Sequence, residues 1–165
     1  MSAREQAGEV TLRKVQDADL PVFYEQQLDP EANYMAAFTP ADPTDRAAFE
    51  AHWARIRADG SVTNRTILLD GEVAGHVASY TDAEFGKPEV TYWLGREYWG
   101  RGVATRALSA FLREQTTRPI YGRAARDNAA SIRVLTNCGF RLQGFDKGYA
   151  AARDEVIEEA ILVLE

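Results

Sequence analysis

The sequence is poor in the residues that build disulfide frameworks and metal sites. Its 165 residues include one cysteine and two histidines. The single cysteine, Cys138, excludes an intramolecular disulfide and a thiolate metal cluster. The histidines, His52 and His76, lack a ligand spacing such as His-x-x-x-His. We therefore expect no bound metal, and we expect Cys138 and His76 to be structural residues.

Long apolar runs and basic clusters are missing too. No apolar run approaches the roughly 20 residues that a membrane-spanning helix needs, and the polar segment 1–9 lacks the apolar stretch of a secretory signal. The 19 Lys and Arg residues against 25 Asp and Glu residues give a net charge of −6, and no basic run could track a phosphate backbone. These absences predict a cytoplasmic protein that binds neither membrane nor nucleic acid. The acidic balance favours a cationic substrate such as an amine.

The hydrophobic patterns predict a mixed α/β chain, and its length fits a single domain over residues 1–165. Alternation predicts a first strand at 10–15, followed by a helix to Gln27 that Asp17 or Asp19 could cap. The proline-containing segment 29–43 is interpreted as a long substrate loop. Thr44 or Asp45 could cap the next helix, which should end near residues 59–60.

The second half of the chain alternates strands and helices more regularly. Asp70 and Gly71 supply the positive φ angles of a tight turn between strands at 66–69 and 73–80. Further patterns predict strands at 89–94, 120–124, 140–145 and 156–164, and helices at 102–115 and 128–138.

A glycine loop at the start of the helix at 102–115 is the clearest binding signal. Backbone N–H groups at a helix start attract anions, and glycines such as Gly100 and Gly102 let a phosphate approach the backbone. Arg101 and Arg106 add positive charge. The loop lacks the Lys-Ser or Lys-Thr of nucleoside-triphosphate loops and the third glycine of dinucleotide-binding loops, so another phosphate ligand is indicated.

Several segments together resemble the GNAT acetyltransferase superfamily, and most closely its ribosomal-protein N-terminal acetyltransferase branch. They are Glu-Val-Thr-Tyr-Trp-Leu at 89–94, Tyr-Trp-Gly-Arg-Gly-Val-Ala-Thr at 98–105, Asn-Ala-Ala-Ser at 128–131 and Cys-Gly-Phe at 138–140. The resemblance implies a mixed, mostly antiparallel sheet of six or seven strands with helices on both faces. It also implies that the sheet splays between two parallel central strands, 89–94 and 120–124, to admit acetyl-CoA.

The resemblance also implies roles for individual residues. Backbone groups around Trp93 and Leu94 would bind the pantetheine arm, and Asn128 would position its end. The pyrophosphate would lie on the loop formed by Trp99, Gly100, Arg101, Gly102, Val103, Ala104 and Thr105. The implied reaction is acetyl transfer to a primary amine, at a protein N-terminus or on a small molecule, by direct attack without a covalent enzyme intermediate.

Two positions depart from the family pattern. Glu97 stands where the superfamily loop usually begins with Gln or Arg. Leu135 stands where many members place a tyrosine that protonates the departing thiolate. The branch that this chain resembles suggests Ser131 as a substitute acid.

A base is also needed, because a lysine-like amine has an unperturbed pKa near 10.4. Glu89 is the candidate base, since regular alternation would place it on one face with Thr91 and Trp93.

Each role has a structural alternative. Glu89 could be a solvated strand-end carboxylate, and Ser131 could simply complete a first helical turn. Asn128 is a good N-cap, although capping and cofactor contact can coexist. For the whole chain, the alternatives are a catalytically silent CoA-binding module and a phosphate-binding protein unrelated to CoA. Whether the chain forms a homodimer is left open.

Overall fold

The computed structural model describes residues 8–165, so most of the polar segment considered above for a signal, residues 1–7, lies outside the described residues. The strands are β1 Val10–Arg13, β2 Thr63–Leu69, β3 Glu72–Thr81, β4 Pro88–Leu94, β5 Ile120–Ala125, β6 Arg141–Ala150 and β7 Glu155–Leu164. The helices are α1 Leu20–Gln27, α2 Pro30–Ala36, α3 Arg46–Ala58, α4 Val103–Glu114 and α5 Ala129–Asn137.

The seven strands form one sheet in the order β1-β2-β3-β4-β5-β7-β6. Strands β4 and β5 run parallel, and the other neighbouring pairs of the described chain are antiparallel. The tight turn between β2 and β3 is present, with φ of 51° at Asp70 and 83° at Gly71. The predicted mixed, mostly antiparallel sheet with two parallel central strands is therefore confirmed.

Helices cover both faces of the sheet. On one face, Val103, Leu108 and Phe111 of α4 are buried at 1% exposure or less, in the cluster that also contains sheet residues such as Ile67 and Ile120. This fits the apolar stripe that the spacing of α4 predicts. Burying each such side chain stabilises the fold by about 1.5–3 kcal/mol.

Helices α1 and α3 cover the other face through an aromatic cluster. Phe23, Phe49 and Trp53 are buried there. The ring of His76 on β3 lies 4.7 Å from that of Phe23 and 4.9 Å from that of Trp53. Burial lowers the pKa of His76 to about 3, so this histidine is neutral at physiological pH. Its packing agrees with the expected structural role.

The N-terminal part of the chain corrects two expectations. The segment 29–43 is not one long loop, because Pro30–Ala36 forms α2, which Asp29 caps by accepting a hydrogen bond from the Glu31 N–H. Asp19 does not cap α1 with its side chain. Its carboxylate instead binds the Arg13 guanidinium at 2.7 Å and the Gln16 N–H at 2.9 Å. The expected cap at Asp45 is present, since its side chain accepts a hydrogen bond from the Ala48 N–H.

Candidate functional site

A cleft of about 1010 Å³ opens where β4 and β5 separate. The two strands pair at Glu89 with Tyr121 and at Val90 with Gly122, and then diverge. Residues from α2, α4 and α5 complete the walls. Parallel strands that splay in this way leave backbone groups of β4 facing the gap, so an extended ligand could pair with them.

The glycine loop forms one end of the cleft. Gly100 and Gly102 have φ angles of 71° and 73°, which favour glycine, and Gly102 is the N-cap of α4. A side-chain Cβ at Gly100 would meet nothing within 4 Å, so the space above the loop is open. The first-turn N–H groups of the 12-residue α4 therefore form a site suited to a pyrophosphate.

Eleven of the twelve residues predicted for the site line this cleft. They are Glu89, Trp93, Leu94, Trp99, Gly100, Gly102, Val103, Ala104, Thr105, Asn128 and Ser131. Arg101 is the exception: its guanidinium donates to the Glu97 carbonyl at 3.3 Å and lies 5.9 Å from the Tyr98 ring centroid. The arginine contributes charge beside the loop, without a side-chain contact inside the cleft.

The loop is tied to β4 by an indole group. Trp99 Nε1 donates to the Leu94 carbonyl at 3.1 Å, and Trp93 Nε1 donates to the Gln26 carbonyl at 3.3 Å. Gly75 allows β3 to approach the backbone of β4 closely, since a Cβ at that position would come within 1.9 Å of the Trp93 carbonyl oxygen. These contacts fix the end of β4 relative to the glycine loop.

Asn128 and Ser131 lie together at the start of α5. Asn128 Oδ1 accepts from the Ser131 N–H at 3.2 Å, which confirms the expected N-cap, and its Nδ2 donates to the Met35 carbonyl at 3.2 Å. The amide thus joins α5 to α2, with one N–H and one lone pair left for other contacts. The Tyr92 hydroxyl donates to Ser131 Oγ at 3.3 Å, and burial raises the pKa of Tyr92.

Glu89 is a buried carboxylate at the other end of the cleft. Its side chain is 5% exposed, so it is not the solvated strand-end group that we weighed as an alternative. Burial raises its pKa to about 7, although the Arg123 guanidinium opposes the rise. The carboxylates of Asp82 and Glu159 raise it further, and the hydrogen bond with Tyr80 lowers it. A carboxylate with a pKa near neutrality is suited to accept and release protons.

The two departures from the family pattern have structural explanations. Leu135 is buried in the core against β5, where a Cβ at Gly122 would come within 2.5 Å of Leu135 Cδ2. Glu97 is exposed and lies outside the lining of the large cleft.

Sequence reasoning missed several groups that the fold brings into the cleft. Tyr92, Arg123 and Glu159 all line it, and they come from β4, β5 and β7. Alternation along β4 could have indicated that Tyr92 faces away from Glu89, toward the face of the sheet that α4 covers. The positions of Arg123 and Glu159 depend on strand register, for which the sequence offers no local signal.

Residues 8–165 contain no cluster of three or more His, Cys, Asp or Glu side chains arranged to hold a metal ion. In the same part of the chain, no helix combines the length and apolar character needed to cross a membrane.

Comparisons with known proteins agree with the geometry of the cleft. A family model described as the acetyltransferase (GNAT) domain matches residues 9–141. The chain belongs to the GNAT acetyltransferase family. It is 26% identical over 157 residues to the uncharacterized N-acetyltransferase p20 of Bacillus licheniformis, covering 90% of this chain and 88% of that protein.

Two solved structures share the fold. RimJ of Mycobacterium smegmatis, in complex with CoA-disulfide, superposes with a TM-score of 0.80 at 24% identity, covering 96% of this chain and 82% of the other. RimL, a ribosomal L7/L12 alpha-N-protein acetyltransferase in complex with CoA, superposes with a TM-score of 0.78 at 18% identity. The match covers 94% of this chain and 93% of the other.

The predicted family resemblance and the prediction of an acetyl-CoA-dependent N-acetyltransferase are confirmed. Acetyl-CoA is the co-substrate and an amine is the acceptor. The family match supports this enzyme over a silent CoA-binding module or an unrelated phosphate-binding protein.

Proposed function

We propose that this N-acetyltransferase transfers the acetyl group directly to a primary α-amine, as at a protein or peptide N-terminus, with Glu89 as the base. The observation that carries the proposal is the buried Glu89 carboxylate, which lines the cleft beside the point where β4 and β5 separate. RimL, which acts on a protein α-amine, has the same fold and supports this acceptor class.

The pKa of the amine decides how readily Glu89 can remove its proton. An α-ammonium has an unperturbed pKa of about 7.7–8.0, and a lysine-like ammonium of about 10.4. Proton transfer from the α-ammonium to a carboxylate with a pKa of about 7 is uphill by roughly 1 kcal/mol. Transfer from a lysine-like ammonium to the same carboxylate costs roughly 3 kcal/mol more, which is the difference between the two amine pKa values. The site therefore fits α-amines better than side-chain amines or polyamines.

The proposed residues would divide the work along the cleft. The glycine loop and the first turn of α4, from Trp99 to Thr105, would hold the pyrophosphate, and the open edge of β4 at Trp93 and Leu94 would pair with the pantetheine arm. Asn128 would position the end of that arm through the bonding capacity that its two observed hydrogen bonds leave. Together these contacts would align the thioester with the acceptor, and such positioning supplies much of the rate in a two-substrate reaction.

The chemical step combines attack of the amine on the thioester with proton transfers to Glu89 and from Ser131. Glu89 removes a proton from the acceptor ammonium, directly or through a water molecule. The amine nitrogen forms a bond to the thioester carbonyl carbon, and the carbon–sulfur bond then breaks. Ser131 Oγ–H donates a proton to the departing thiolate, whose pKa by analogy with a free thiol is about 8.5. The nitrogen releases its second proton as the amide forms, and this proton returns to Ser131 Oγ through water, so that the serine is restored. Backbone N–H groups stabilise the developing oxyanion.

A thiol-release assay tests this proposal with the full chain and acetyl-CoA. The acceptors are a peptide with a free N-terminus, the same peptide with a blocked N-terminus and one lysine, a free amino acid, spermidine and an aminoglycoside. We expect the free N-terminal peptide to give the highest kcat/KM at pH 7. A higher value for the lysine peptide or for spermidine would contradict the α-amine assignment.

The Glu89→Gln variant tests the base. General base catalysis typically contributes about 10²- to 10⁴-fold, so a loss of that size is expected. Glu158→Gln, which changes an exposed carboxylate of β7 outside the cleft, is the matched control and should keep its rate. Full activity of Glu89→Gln across the pH range would remove Glu89 from the mechanism.

A further inference from the structure

A cluster of three charged side chains, Glu89, Arg123 and Glu159, joins β4, β5 and β7 at the end of the cleft opposite the glycine loop. Arg123 Nε lies 3.4 Å from Glu89 Oε1. The same guanidinium bonds Glu159 more tightly, with Nε to Oε1 at 3.0 Å and a terminal nitrogen to Oε1 at 2.8 Å. All three side chains line the cleft, and the side chains of Glu89 and Glu159 are only 5% and 11% exposed.

The shorter contacts of Arg123 are with Glu159 rather than with Glu89. In the β5–β7 ladder, Arg123 pairs with Ile161 and Ala125 with Glu159, so Arg123 and Glu159 are diagonal neighbours on one face. The guanidinium carbon also lies 4.8 Å from the ring centroid of Phe85, a distance typical of a cation–π contact. Two contacts thus anchor the arginine, while its longer contact reaches Glu89.

We propose that Arg123, anchored by Glu159, is a positioning residue that sets the pH range over which Glu89 is deprotonated and able to act as a base. The proposal deepens the proposed function and rests on the role of Glu89 given there. A buried carboxylate without a nearby cation would hold its proton well above neutral pH, and the guanidinium offsets part of that effect.

The other charged groups around Glu89 act in known directions. Asp82, beyond the end of β3, and Glu159 on β7 disfavour its negative charge, and the Tyr80 hydroxyl favours it through a hydrogen bond. Asp146 on β6 acts on Glu159 in turn, disfavouring its charge. Among these groups of the described chain, Arg123 is the cation in ion-pair contact with Glu89. The ammonium of Lys87 lies over the same Phe85 ring as Arg123, 5.5 Å from its centroid.

The proposal predicts shifts of opposite sign for two variants. Arg123→Met removes the cation, so the acid limb of the kcat/KM profile should move to higher pH by about 1 unit or more. Glu159→Gln removes a negative neighbour and frees the guanidinium to approach Glu89, so the limb should move to lower pH. A merely structural salt bridge would lower activity in both variants without moving the limb in opposite directions.

Matched controls lie close to the cluster, at Arg126 just beyond the end of β5 and at Glu158 beside Glu159 on β7. Arg126 and Glu158 form an exposed ion pair at 3.0 Å between the end of β5 and β7, outside the lining of the cleft. Arg126→Met and Glu158→Gln therefore remove the same chemical groups from neighbouring positions. Both variants should keep the wild-type limb.

A measurement without acceptor or acetyl-CoA separates this proposal from the proposed function. The full chain with ¹³C-labelled glutamate is titrated by NMR, and the Glu89 resonance is identified by its absence in Glu89→Gln. We expect the midpoint to rise in Arg123→Met and to fall in Glu159→Gln. An unchanged midpoint in Arg123→Met, or shifts of the same sign in both variants, would overturn the proposal even if Glu89 proves to be the base. If the midpoints shift as expected but Glu89→Gln retains full activity, the electrostatic role stands and the proposed base is wrong.

Discussion

The burial of Glu89 has a consequence for stability that can be measured without any substrate. Its pKa is raised from 4.5 to about 7 in the folded protein. Between these values the unfolded chain releases the proton while the folded chain retains it, so rising pH destabilises the native state. The stabilisation is fully present below pH 4.5 and is lost as the pH rises through 7. The total is roughly 3 kcal/mol, most of which is lost between pH 5 and pH 8.

Glu89→Gln isolates this contribution. The glutamine cannot titrate, whereas the other ionisable groups, including the buried His76, are common to both proteins and largely cancel in the difference. The free energy of unfolding is measured by urea denaturation at several pH values between 5 and 8. The variant should gain roughly 2–3 kcal/mol relative to wild type over that range. A difference between the two proteins that stays constant with pH would contradict the raised pKa of Glu89 in the folded protein.

Three other predictions concern the rest of the cleft. Ser131→Ala should lower kcat by up to about 100-fold if Ser131 donates the proton, and unchanged steady-state kinetics would exclude that role. Gly102→Ala should destabilise the chain by about 1–2 kcal/mol because its φ is 73°, and it should weaken acetyl-CoA binding in calorimetry; wild-type affinity would argue against the loop as the pyrophosphate site. Gly122→Val should destabilise by about 1–3 kcal/mol through its clash with Leu135, and Leu135→Ala should relieve part of that loss in a double-mutant cycle of urea denaturation. Additive effects would show that the two residues do not share the contact.

Local chemistry explains why much of the fold could be predicted. The Asp70-Gly71 turn, the cap at Asp45 and the periodic apolar stripe of α4 are signals carried by neighbouring residues, and each gave the correct element. The errors arose where one residue has two competing uses. Aspartate is a residue type that often caps helices, yet the carboxylate of Asp19 is buried against Arg13, Gln16 and Thr66. No local pattern distinguishes these uses, because Thr66 is 47 residues away.

The glycine loop at one end of the cleft could be predicted from the sequence in the same way. The residues from Trp99 to Thr105 are contiguous, and a glycine loop that begins a helix has the same geometry in any fold that contains it. Other contacts in the cleft join groups that are distant in the chain. Tyr92 and Ser131 are 39 residues apart, and Arg123 and Glu159 are 36 apart.

The sequence by itself determined the glycine loop, its helix and the family signature, because these depend on short-range spacing. Only the tertiary structure decided that Glu89 is buried and that Arg123 and Glu159 lie beside it. Those facts follow from the register of β5 with β7 and from the separation of β4 and β5 beyond Val90. Burial and charge at Glu89 are sums over several strands, so they exist only once the sheet has formed.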